Sequence, residues 1–174
     1  LQEIKSMTRQ EITADFIAHD LPKFRAGQVY EWLVKGVSSF EEMTNVSKAL
    51  REKMAQDCAL VSVTEIDRLE SVDGTKKFLF ELSDGQAIES VLMKYHHGYS
   101  VCVSTQVGCK MGCKFCASTG IPFIRNLSSG EIVEQILAIE RDENIKVSNV
   151  VFMGIGEPLD NYDNVVNAIR IINN

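Results

Sequence analysis

Residues 101–120, VCVSTQVGCKMGCKFCASTG, decide how the rest of the chain is read. Four of the five cysteines lie in this stretch: Cys102, Cys109, Cys113 and Cys116. The last three have the spacing C-x3-C-x2-C, with Phe115 just before the final one. One short loop with that spacing aims three thiolates at a single centre. Gly108 and Gly112 precede the first two ligand candidates and can take φ > 0 without the Cβ penalty. A closed zinc or cubane site takes four protein ligands. Three thiolates on a four-iron cluster leave one iron open to a substrate or cofactor. A zinc knuckle would instead need Cys102 or a histidine to complete it.

Working outward, the order around the loop is strand, loop, helix, strand, loop, helix. Residues 99–104 form a strand that runs into the cysteine loop. Ser128 and Glu131 make a capping box, and Ile132, Ile136 and Ile139 form the stripe of the helix it opens. Residues 148–153 are a continuous apolar run of the parallel, doubly covered kind. The turn Gly154-Ile155-Gly156-Glu157-Pro158 then leads into a helix over about 161–172. Glycines let a backbone approach a ligand, and a carboxylate at a strand's end accepts hydrogen bonds from a cationic amine. Alone, that turn is a weak signal; its register with the cysteine loop strengthens it. The arrangement predicts the first βα units of a β/α barrel, with functional loops at the carboxyl ends of the strands.

Upstream the pattern differs. Residues 1–57 read as helical: Thr8 and Glu11 make a capping box ahead of Ile12, Phe16 and Ile17, and Pro22 stops that helix. A second helix over 24–35 turns Val29, Trp32 and Leu33 inward and closes at Gly36. A short turn around 38–41 and a helix over 47–56 follow. Residues 60–72, 77–82 and 87–94 are alternating or β-branched runs separated by the hairpin signals Asp73-Gly74 and Asp84-Gly85. The sequence thus predicts an α+β accessory domain over 1–95, with helices over 1–57 and a small antiparallel meander over 59–94. The start of the barrel occupies 96–174. The segment MKYHHGYS at 93–100 breaks the pattern and marks the boundary, with His96 and His97 as turn residues.

The chain's 174 residues suffice to bury a good core. Its 45% hydrophobic and 24% charged content is that of an ordinary soluble domain, and no apolar run approaches the roughly 20 residues of a membrane span. An odd cysteine count, clustered, argues against a secreted disulfide framework and for a reducing, cytoplasmic setting. The net charge of −6 is unevenly spread: no acid stands between Glu89 and Glu131, a window that holds Lys94, Lys110, Lys114 and Arg125. That bias suits an anionic partner near the cysteine loop, or compensation of a cluster's own charge.

Taken together, SVCVSTQVGCKMGCKFCAS (100–118), RNLSSGEI (125–132) and VVFMGIGEPLDNYDNV (150–165) resemble the radical S-adenosylmethionine RNA adenine methyltransferases of the RlmN and Cfr type. KFRAGQVYEWL (23–33) and FEEMTNVSKALREK (40–53) resemble that family's accessory domain. The resemblance implies a 4Fe-4S cluster on Cys109, Cys113 and Cys116, with S-adenosylmethionine on the open iron and Gly156 and Glu157 against its methionine part. It implies that Glu89, in AIESV (87–91), is the general base that takes a proton from the substrate carbon. It implies that Cys102 resolves a protein–RNA adduct through a transient disulfide with a methyl-carrying cysteine near the family's C-terminus. On pattern alone, Glu89 is a strand residue facing water and Cys102 an inert strand cysteine. Cys58 does not match the methyl-carrying cysteine and reads as packing, so the chain is expected to be an N-terminal fragment, inactive on RNA as it stands.

The implied substrate is carbon 2 of an adenine in 23S rRNA and, in the dual-specificity branch, tRNA. Carbon 2 is not nucleophilic, hence the radical chemistry. A monomer served by an electron donor such as flavodoxin, with no membrane association, completes the expectation. Two alternatives stay open: a carbon-8 methyltransferase of the antibiotic-resistance branch, and a zinc-stabilised RNA-binding module without catalysis.

Overall fold

The computed structural model describes residues 1–173 of the chain. After a two-residue strand β1 (Gln2–Glu3) and a helical turn at Ile4–Ser6, helix α1 (Arg9–Ala18) opens on the expected capping box. The Glu11 carboxylate accepts the Thr8 amide at 2.7 Å, and Thr8 Oγ1 accepts the Glu11 amide at 3.3 Å. The helix stops before Pro22, because Asp20 turns left-handed at φ 56, and Pro22 instead caps α2 (Lys23–Leu33). A turn at Phe40–Glu42 and α3 (Lys48–Asp57) follow, and β2 (Cys58–Ala59) pairs parallel with β1. Ile12, Phe16, Val29, Leu33, Met43 and Met54 are buried in one cluster, with Trp32 half-buried against it.

The remaining strands build a second cluster. Strands β3 (Thr64–Glu70), β4 (Lys76–Glu81), β5 (Ala87–Tyr95) and β6 (Gly98–Cys102) form the antiparallel meander, turning at Asp73-Gly74 and Asp84-Gly85 as expected. Beyond β6 come the short pair β7 (Gln106–Val107) and β8 (Arg125–Asn126), then α4 (Ser129–Glu143), β9 (Val147–Val151) and α5 (Tyr162–Ile172). Strand β9 lies parallel to β6, which makes one five-stranded sheet in the order β3-β4-β5-β6-β9. Its helix-side face packs Phe78, Phe80, Ile88, Leu92, Val101 and Val103 against Ile132, Ile136 and Ile139 of α4, in the cluster that also holds Val165 and Ala168 of α5.

This arrangement differs from the division expected at residue 95. The segment 93–100 is a tight hairpin, Tyr95 pairing with Gly98 across His96-His97, so meander and barrel strands share one sheet and one core. The two hydrophobic clusters part near residue 60 instead. Strand β9 also differs from the doubly covered strand expected: Val147 and Val150 pack against the core, while Asn149 and Val151 on its other face are exposed. Among the described residues no helix is long and apolar enough to cross a membrane.

The helical cluster is clasped to α4 and α5. Lys5 Nζ meets Glu134 Oε2 at 2.6 Å with both side chains buried, Arg141 donates to the Gly36 carbonyl at 2.6 Å, and Asn167 donates to the Ser6 carbonyl at 2.7 Å. Burial pushes the Glu134 carboxyl upward and the Lys5 ammonium opposes it. Removing one partner of such a pair costs far more than the pair itself contributes.

Candidate functional site

Two loops leave the carboxyl ends of the parallel strands β6 and β9. The first carries the cysteines. Its root is pinched by β7 against β8, by the Ile124 amide on the Val107 carbonyl at 2.9 Å and by the Cys109 amide on the Ile121 carbonyl at 3.3 Å. Gly108 has φ +69, and a Cβ there would fall 1.9 Å from the Pro122 carbonyl oxygen, so the pinch excludes other residues. Gly112 does not share this constraint: its φ is not positive and nothing lies within 4 Å of its Cβ direction.

Beyond the root the loop is a string of turns. The Cys116 amide donates to the Cys113 carbonyl at 3.1 Å and the Thr119 amide to the Cys116 carbonyl at 3.1 Å. The Met111 amide donates to Cys109 Sγ at 3.4 Å. Cys109 is half-buried, Cys113 and Cys116 are exposed, and Phe115 is 95% exposed. All five cysteines are free thiols, so no disulfide is present among the described residues. Nor, among those residues, do three metal-binding side chains converge closely enough to hold an ion. The donor set itself suits a three-thiolate cluster: three free thiols on one loop, two of them open to solvent, the third already taking an N–H bond at sulfur.

The second loop carries Gly154, Gly156 and Glu157. Its glycines serve a close approach, but to the chain itself: Gly154 to backbone and Gly156 to the Gln106 side chain. A Cβ on Gly154 would lie 2.7 Å from Ser104 N and the Val103 carbonyl, and one on Gly156 (φ +104) 2.6 Å from Gln106 Cβ. Glu157 Oε1 accepts the Leu159 amide at 3.0 Å, capping the helical turn Pro158–Asn161. Asn161 is buried and donates to the carbonyls of Thr105 and Leu127, both at 2.8 Å, fastening the turn between the two strand ends.

Glu89 and Cys102 stand on the sheet face opposite α4. Side chains alternate along a strand, and Ile88, Ser90 and Leu92 of β5 are buried while Glu89, Val91 and Met93 are less so. Cys102 pairs with Val91, which places it on the Glu89 face, one diagonal step away. Lys77 Nζ donates to Glu89 Oε1 at 2.9 Å, and Ser104 Oγ pins the Glu89 carbonyl at 2.6 Å. Burial pushes the Cys102 thiol up, offset in part by the Met153 N–H. The structure therefore brings Glu89 and Cys102 to one face and the cysteine and GIGEP loops to one end of the sheet.

The charge bias of the cysteine region is answered locally. Arg125 is held by Glu131 at 2.8 Å and Asp84 at 2.7 Å, which raise its pKa further, and Lys110 by Asp160 at 2.9 Å. Two of the four cations expected to face an anion are thus paired with acids from outside the window. A residue the sequence reading passed over is Gln106, completely buried, whose carboxamide bonds Asn126, Asp160 and Glu157 together. Its signal was the polar run Ser104-Thr105-Gln106 set between Val103 and Val107 at a strand's end.

Known families match both halves of the chain. Residues 2–60 match the ribosomal RNA large subunit methyltransferase N-terminal domain, and residues 103–174 match the radical SAM superfamily. On both matches the chain is similar to the radical SAM RNA methyltransferases. It is 54% identical over 172 residues to a probable dual-specificity RNA methyltransferase RlmN of Lachnoclostridium phytofermentans, covering 98% of this chain and 48% of the relative. It is 49% identical to one of Staphylococcus epidermidis, covering 99% and 48%. The chain thus spans about half the length of these relatives. The fold is shared with a radical SAM methyltransferase of Sphaerobacter thermophilus, with a TM-score of 0.90 and 36% identity over all of this chain and 52% of that one.

Proposed function

We propose that the protein methylates carbon 2 of an adenine in 23S rRNA, and in tRNA, by radical S-adenosylmethionine chemistry. The observation that carries the reading is the placement of a three-thiol loop and the GIGEP loop at the carboxyl ends of two adjacent parallel strands. That is where a β/α sheet gathers its reactive groups. Cys109, Cys113 and Cys116 would hold a 4Fe-4S cluster, with S-adenosylmethionine beside Gly156 and Glu157. When bound, the pair supplies one-electron cleavage of a sulfonium, and so carbon-radical chemistry at a ring carbon that no nucleophilic route reaches. An electron donor such as flavodoxin, a monomeric state and a cytoplasmic setting go with this reading.

The chain's own residues take the remaining roles. Glu157 keeps one carboxylate oxygen beyond its bond to the Leu159 amide, available to a cofactor ammonium group. Glu89 has Oε1 on Lys77 and presents Oε2 on the open sheet face as the base for the substrate's carbon-bound proton. Cys102, one step away, has its thiol pKa raised by burial; late in the reaction its sulfur would attack the sulfur of a protein–RNA thioether, the S–S bond forming as the C–S bond breaks and the departing carbon takes up a proton. Anaerobic reconstitution with iron and sulfide tests the reading. A brown protein whose iron depends on the three loop cysteines supports it, and a colourless, zinc-binding protein overturns it in favour of an RNA-binding module. In a protein that also carries the methyl-bearing cysteine, label from S-adenosylmethionine at adenine carbon 2, as opposed to carbon 8, separates the two methyltransferase branches.

A further inference from the structure

Every hydrogen-bonding atom of the Gln106 carboxamide is used, and its three bonds reach two other segments, β8 and the turn after GIGEP. Nε2 donates to Asn126 Oδ1 at 2.9 Å and to Asp160 Oδ2 at 3.1 Å, while Oε1 accepts the Glu157 amide at 2.9 Å. Asp160 Oδ2 also receives Lys110 Nζ at 2.9 Å, and that ammonium sits 4.3 Å from the centroid of the Phe123 ring. Lys110 directly follows Cys109. A continuous line of bonds therefore runs from Glu157 through Gln106 and Asp160 to Lys110. It joins the GIGEP loop to the cysteine loop.

We propose that Gln106 and Asp160 are positioning residues, a latch that fixes the cysteine loop against the GIGEP loop so that both ends of the cofactor are met at a set separation. The proposal rests on reading those loops as cluster and cofactor loops. The chemistry of position 106 is specific. A glutamate there would lose both donors and face the Asp160 carboxylate, and an aliphatic residue would break all three bonds, freeing the half-buried Glu157 amide and leaving Asp160 tied to Lys110 alone. Gly156 belongs to the same latch, since only a residue without Cβ packs onto the Gln106 side chain. The latch is assembled from this chain's own bonds, so it orders the root of the cysteine loop before any cofactor arrives.

Hydrogen exchange tests this in the protein before reconstitution, comparing the natural chain with Lys110→Met, Asp160→Asn and Gln106→Met. Peptides over 109–121 and 154–160 should exchange about tenfold faster in each variant, with α4 unchanged. After anaerobic reconstitution the variants should keep the natural chain's iron content yet bind S-adenosylmethionine about tenfold more weakly, a loss of about 1.4 kcal/mol. Asp160→Glu should recover much of that loss. Lys110 is half-exposed, so Lys110→Met carries the test even if Gln106→Met fails to fold. Natural exchange and affinity in Lys110→Met and Asp160→Asn overturn the latch, as does faster exchange spread evenly over the chain. If the natural chain takes up no iron, the proposed function falls, while the exchange comparison still decides the latch.

Discussion

The root and the tip of the cysteine loop are built on opposite terms. At the root, Gln106 and Asn161 are buried and bonded, Gly108 is pressed on the Pro122 carbonyl, and Gly156 on Gln106. At the tip, Cys113, Cys116 and Phe115 are exposed and the space a Gly112 Cβ would fill is open. The contrast shows which part of the site the polypeptide organises by itself. The fold fixes where the loop starts, and a bound cluster would supply the energy that gathers its thiols, since metal binding free energy is folding free energy for the segment that provides the ligands.

The strongest way to break that contrast is to remove a ligand at the tip. Cys113→Ala should lose nearly all iron after anaerobic reconstitution, with an unchanged melting temperature before it. Cys102→Ala, on the sheet, should retain iron. Iron analysis checks both, and equal losses would mean that Cys102 is a ligand. Next is Glu157→Gln, which keeps the cap on the Leu159 amide and removes only the charge. Calorimetry should show S-adenosylmethionine binding weakened by about 1.5–3 kcal/mol, the value of a hydrogen bond to a charged group. An unchanged affinity would remove Glu157 from the cofactor site.

The glycines sharpen the comparison on the stability side. Gly156→Ala brings a Cβ within 2.6 Å of Gln106 at a left-handed φ, so denaturant unfolding should show a loss of about 1–3 kcal/mol. Gly112→Ala, in open space at the tip, should stay within about 0.5 kcal/mol of the natural chain. Equal effects at the two positions would mean that root and tip are equally ordered.

What was legible in the sequence divides along a similar line. The boxes Thr8/Glu11 and Ser128/Glu131 and the Asp-Gly turns were readable because each is closed within four residues. The five-stranded sheet across residue 95 was not: the parallel strands after 96 were expected, but the tight turn at His96-His97 that pairs β5 with β6 carries no Asp-Gly or Asn-Gly signal and read as a boundary. The same applies to charge. Arg125 and Lys110 looked unopposed along the chain, yet Asp84 and Asp160 reach them from distant segments. The cysteine spacing and GIGEP turn were visible as motifs. Their mechanical link through Gln106 needed three segments brought together in space.

The smallest expected effect concerns rates of thiol labelling. Cys102 lies half-buried on the sheet, where burial raises its pKa above the ordinary thiol value and the Met153 N–H only partly compensates. A raised pKa means less thiolate at any given pH below it, and alkylation proceeds through the thiolate. In the protein before reconstitution, iodoacetamide at pH 8 should therefore modify the exposed Cys113 and Cys116 first and Cys102 well after them. Raising the pH should continue to speed Cys102 labelling past the point at which an ordinary thiol has levelled off. Peptide mass spectrometry over a pH series reads both quantities. Cys102 labelling as fast as Cys113 at pH 8 would place its sulfur in solvent and remove the distinction between a guarded sheet thiol and an open loop.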